Sequence, residues 1–119
     1  MRMGALHDRR DGRCVVARVW KPAGAWARMR GLLGRPPLGA GEGMLLEPCG
    51  AVHTFGMRYA LDLVFLDRGG RVAKLARGVG PWRVAGSGSA HATLELADGA
   101  AAACGLKVGD VIDWRESDR

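Results

Sequence analysis

Leu61-Asp62-Leu63-Val64-Phe65-Leu66-Asp67-Arg68-Gly69-Gly70-Arg71-Val72-Ala73-Lys74-Leu75-Ala76-Arg77 reads as two strands joined by a tight turn, and it decides the fold class. The first six residues are a nearly continuous apolar run, the length of a central strand and too short for a buried helix. Asp67-Arg68-Gly69-Gly70 supplies the turn, because adjacent glycines adopt the positive φ values that a hairpin demands. Arg71 to about Arg77 returns as the partner strand.

Outward from this hairpin the chain breaks into many short elements. Cys14 to Trp20 carries Val15, Val16 and Val19 and stops at Lys21-Pro22, which predicts a first strand. Met44 to Leu46 is a short apolar strand, and Pro81 to Val84 pairs briefly at an edge. Thr93 to Ala97 alternates with Leu94 and Leu96 inward, and Val111 to Arg115 is the last strand. Two helices are expected. Trp26, Met29 and Leu33 recur at i, i+3 and i+7, which marks one apolar helix face over roughly 23–34, stopped by Gly34 and Pro36-Pro37. Asp98 is expected to cap a second helix from Ala100 to Cys104, with Gly105 as its stop. Strands at this spacing leave no room for repeated βαβ crossovers. The expected fold is mainly β, a small antiparallel sandwich or barrel-like domain with two short helices at its periphery.

Composition narrows the class. The chain has 119 residues, 48% hydrophobic and 25% charged, which suits one globular domain with one tail at each end: 1–13, then the domain over 14–115, then 116–119. No apolar run approaches the ~20 residues of a membrane span. Met1 to Gly12 places charges where a signal peptide needs its apolar stretch, so a cytoplasmic protein is expected. Cys14, Cys49 and Cys104 are too few and too far apart for a disulfide scaffold, and are expected as reduced thiols. The net charge of +6 is lopsided, with nine Lys or Arg against two acids in residues 1–41. The four tryptophans stand singly in the sequence, without the interleaved aromatic and basic pattern that stacks bases. A solvated arginine surface is therefore favoured over a nucleic-acid footprint.

The chemistry-bearing residues gather between Cys49 and Asp62. An extended segment would put Cys49, His53, Phe55 and Met57 on one face and Thr54 and Arg58 on the other. Cys49 and His53 would then be about 13 Å apart, too far to share a metal or to pass a proton directly. No metal and no cofactor are expected. A thiol enzyme with Cys49 as nucleophile, His53 as base and Asp62 as orienter is the competing class. Asp62 shares a strand face with Val64 and Leu66, so its carboxylate needs a partner, and Arg58 and His53 are the local choices. The Gly- and Ser-rich loop Ala85 to His91 lacks the Gly-Lys-Ser/Thr ending of a phosphate loop and reads as a flexible connection.

The order of Arg30-Gly31-Leu32-Leu33-Gly34-Arg35, the stretch from Gly43 through His53-Thr54-Phe55-Gly56-Met57 to Asp67, Leu94-Glu95-Leu96-Ala97-Asp98-Gly99 and Gly109-Asp110 resembles the DUF192 family over roughly 14–115. That resemblance implies a β-rich, sandwich-like bacterial or archaeal domain, and no particular activity. The expected function is a non-catalytic binding module whose pocket is lined by Trp26, Phe55, Met57 and Tyr59, with His53, Thr54, Arg58 and Asp62 making polar contacts. Its partner would be a small molecule or a protein. An accessory subunit that docks on another protein is the third class.

Overall fold

The computed structural model describes residues 2–24, 32 and 34–117. In chain order the strands are β1 (Arg2–Asp8), β2 (Cys14–Lys21), β3 (Glu42–Leu46), β4 (Ala51–His53), β5 (Leu61–Leu66), β6 (Val72–Val79), β7 (Val84–Gly86), β8 (Ala92–Ala97) and β9 (Ile112–Glu116). Among the described residues one helix occurs, α1 (Ala100–Ala103), between β8 and β9. Seven strands form one sheet in the order β6-β5-β8-β3-β2-β1-β9, and β4 and β7 form a separate ribbon. Neighbours are antiparallel except β2 and β3, which run parallel through Arg18–Trp20 and Glu42–Met44.

The large sheet curls until its edge strands meet. Arg71, just before β6, bridges Val111, just before β9. Around that rung Ile112 N donates to Gly70 O at 2.9 Å and Val72 N to Asp110 O at 2.7 Å. The Asp67–Gly70 turn makes this approach possible. Asp67 Oδ1 accepts from Gly69 N and Arg71 N at 2.9 Å each, which locks the turn. Gly70 sits at φ 83° with its backbone against Ile112 O, where a Cβ would have no room.

Both faces of the sheet are covered at β5, which explains why this strand shows no polar alternation. All six of its residues are buried. Val64 and Leu66 point to the inner core with Leu6, Val19, Leu94, Leu96 and Ile112. Leu61, Leu63 and Phe65 point to an outer core with Met44, Leu46 and Met57. Over that outer core lies the β4–β7 ribbon, whose Val52 and Ala85 pack inward. Lys74 of β6 ties the ribbon down by donating Nζ to Gly86 O at 2.9 Å. Phe65 is fully buried in this layer, a contribution of about 2–3 kcal/mol.

Several expectations change. The helix expected over 23–34 falls mostly on residues outside those described, 25–31 and 33, including Trp26, Met29 and Leu33. The second helix is a single turn, and Asp98 does not cap it: the N-cap is Gly99 at φ 84° with no side-chain bond. Arg2–Asp8, within the stretch read as a tail, pairs with both β2 and β9 and buries Leu6 and Asp8. Gly4 and the charged Arg2 and Asp8 interrupt its apolar pattern, so the sequence signal was weak. No helix among the described residues is long and apolar enough to cross a membrane.

Candidate functional site

Alternation through the Cys49–Asp62 segment holds only as far as His53. β4 pairs with β7 in the register Ala51 with Gly86, Val52 with Ala85 and His53 with Val84. His53 and Val84 are thus cross-strand neighbours on the solvent side, and Phe55, two residues after His53, and Trp82, two residues before Val84, lie just beyond this last pair. The chain then turns at Thr54, with Met57 N donating to Thr54 O at 3.1 Å and Gly56 at φ 82°.

Thr54 is the clasp of this surface. It is fully buried, its carbonyl also accepts from Trp82 N at 3.1 Å, and its own N donates to Arg83 O at 2.8 Å. Its hydroxyl donates to Gly80 O at 2.7 Å and accepts from Arg83 N at 2.8 Å. One buried side chain thereby fixes the turn that carries Phe55 against the turn that carries Trp82. The rings of His53 and Phe55 lie 5.1 Å apart, and Phe55 and Trp82 stack at 5.7 Å with planes inclined by 26°. The result is an aromatic ledge open to solvent, with Phe55 45% exposed, Trp82 70% and Val84 68%. Trp82 stands at φ 62°, the left-handed region that a bulky side chain occupies at a cost of roughly 1–2 kcal/mol.

The remaining expected site residues do not converge on one pocket. Met57 is buried in the outer core, and Tyr59 packs against that core while its hydroxyl donates to Arg35 O at 3.1 Å. Arg58 is exposed. Cys49 packs against the outer core and its thiol donates to Ala51 O at 3.2 Å rather than to His53. Among the described residues no group of three or more His, Cys, Asp or Glu is placed to hold a metal. Trp26 lies outside the described residues.

Asp62 has partners other than those expected. Arg58 and His53 do not reach it: Oδ1 accepts from Gly78 N at 2.9 Å and Oδ2 from Ala101 N at 3.0 Å. The register of β5 against β6 skips from Leu61–Val79 to Leu63–Ala76, so Arg77 and Gly78 bulge opposite Asp62. The carboxylate takes the N–H that the bulge frees, and with its other oxygen caps the first turn of α1. This is the cap that Asp98 does not provide, and it removes Asp62 from any ligand surface at the ledge.

Two features escaped the sequence reading. Trp82 and Phe55 are 27 positions apart, and only the ribbon register joins them. Glu95 is the other. Leu94 and Leu96 point inward as expected, but the opposite face of β8 meets the outer core instead of solvent. Glu95 is 3% exposed, opposite Met44 on β3 and Leu63 on β5. Burial pushes its carboxyl up to about 7, and its charge helps to raise the Tyr59 phenol, for which burial is the larger cause. The Leu-Glu-Leu alternation was its available signal, once the sheet was known to be covered on both sides.

A cleft of about 280 Å³ opens beside the barrel closure, over Leu6, Leu45 and Leu66. Two of its rim cations are already engaged, Lys21 with Glu47 and Arg9 with Asp113.

Comparison with known proteins agrees with the architecture. A crystal structure of a protein of unknown function from Novosphingobium aromaticivorans aligns over 94% of this chain and 84% of its own, with a TM-score of 0.72 and 23% identity. A protein from Sinorhizobium meliloti, described as a candidate transcription regulator, aligns over 95% of this chain and 92% of its own, with a TM-score of 0.80 and 20% identity. At such identities the likeness concerns the fold alone. No curated protein matches the chain. The profile of DUF192, described as an uncharacterized ACR, matches residues 7–114, and the chain belongs to that family.

Proposed function

We propose that this domain is a non-catalytic binding module that meets its ligand with the ledge formed by His53, Phe55, Trp82 and Val84. The observation that carries this reading is Trp82. A large ring is held in a strained backbone conformation while most of its surface faces solvent, so its presence is not explained by packing. Thr54 supports the reading by fixing both turns before any ligand arrives, which lowers the ordering cost of binding.

The thiol-enzyme alternative draws less support. The Cys49 thiol donates to Ala51 O and not to His53, the base that this alternative requires. A thermal-shift survey of mononucleotides, oligonucleotides, oligosaccharides and peptides tests the proposal on the wild type, Trp82→Gly and Phe55→Ala. At least one class is expected to raise the wild-type melting temperature, with the increment lost in both variants. Equal increments in all three proteins, or no response to any class, would count against the ledge.

A further inference from the structure

We propose that the ligand of the ledge is single-stranded nucleic acid, with bases stacking on Phe55 and Trp82 and phosphates meeting Arg58 and Arg83. The inference rests on the reading of the ledge as a binding surface and adds the class of ligand. Three observations carry it. The Phe55–Trp82 stack is exposed, and every base offers a π face to such aromatic rings without regard to sequence.

Charge is the second observation. Residues 48–61 and 68–94, which supply the ribbon and both turns, contain no Asp or Glu. Arg58 and Arg83 are exposed, and neither guanidinium pairs with a carboxylate among the described residues. Three cations away from the ledge are partnered, Arg2 with Glu116, Arg9 with Asp113 and Lys21 with Glu47. The ledge is thus a place where apolar rings and uncompensated positive charge coincide.

Geometry is the third. Arg83 follows Trp82 directly and its backbone is bonded twice to Thr54, while Arg58 follows the Thr54–Met57 turn that carries Phe55. One cation therefore accompanies each ring. A duplex buries its base faces and has nothing to stack on the ledge, whereas unpaired bases do. A neutral oligosaccharide would use the rings and leave the arginines idle.

Fluorescence anisotropy of the full chain with labelled ten-nucleotide oligo(dT) and oligo(U), the matching duplex and vesicles of anionic phospholipid decides the matter. The single strands are expected to bind and quench tryptophan emission, with log K falling against log salt at a slope of roughly −1.4 for two neutralised phosphates. Trp82→Gly should weaken binding about tenfold or more, and Arg83→Gln or Arg58→Gln should each lessen the slope by roughly 0.7. Phe55→Ala provides the same readout if Trp82→Gly does not fold. No binding at low salt, unchanged affinity in the ring variants, or equal affinity for the duplex overturns the proposal. A response to vesicles, peptides or sugars that the ring variants abolish would also overturn it while leaving the binding surface in place.

Discussion

Replacing Glu95 by Gln should stabilise the protein at neutral and alkaline pH and leave it nearly unchanged in acid. In the folded chain the carboxyl lies between Met44 and Leu63, 3% exposed, and burial pushes it from 4.5 to about 7. The folded pKa is raised, so the unfolded chain loses the proton near 4.5 while the folded chain keeps it to about 7. Between those values the folded state holds more protons, and stability falls as pH rises. Below 4.5 both states are protonated and the penalty vanishes. At ~1.4 kcal/mol per tenfold in proton affinity, the displacement amounts to about 3 kcal/mol by pH 8. Urea melts of the wild type and Glu95→Gln at intervals from pH 4 to 9 measure it. The two curves should converge at low pH and separate to ~2–3 kcal/mol above pH 7, the amide being the more stable. Parallel curves, or an amide variant weaker at pH 8, would mean that the carboxylate is stabilised as an anion and would refute the reasoning.

Three further outcomes are expected from denaturant melts. Asp62→Asn keeps one acceptor but turns an N–H₂ toward Gly78 N or Ala101 N, leaving a buried donor unpaired, and should cost on the order of 1–3 kcal/mol. Thr54→Val deprives Gly80 O and Arg83 N of their partner and should cost roughly 1–3 kcal/mol, with altered Trp82 emission as the ledge loosens. Gly70→Ala forces a Cβ against Ile112 O at positive φ and should destabilise by more than ~1 kcal/mol, whereas Gly69→Ala, whose φ is not positive, should cost less.

The fold was legible where one periodicity governed a whole element. Leu61–Leu66, the Asp67–Gly70 turn and Thr93–Ala97 were read from apolar runs, paired glycines and strict alternation, and Leu63, Phe65, Leu94 and Leu96 are buried as expected. Legibility failed where partners are distant in sequence. Asp62 was assigned to Arg58 or His53 because those are near in the chain, yet its partners are 16 and 39 positions away. Glu95 was passed over because alternation shows which residues share a face but not whether a second layer covers it. For the ledge the same limit applied: Phe55 was grouped with Trp26, Met57 and Tyr59, and Trp82 looked solitary, until the β4–β7 register brought the two together.

The central claim is that Trp82 is kept for contact and not for the fold, and the stabilities of Trp82→Gly and Trp82→Ala test it most directly. Glycine relieves the strain at φ 62°, and alanine retains it. The account predicts that Trp82→Gly stays within about 1 kcal/mol of the wild type in urea, with Trp82→Ala about 1 kcal/mol below the glycine variant. A loss of more than about 2 kcal/mol in Trp82→Gly would contradict it, because an indole that the fold depends on is a packing residue, however exposed its ring.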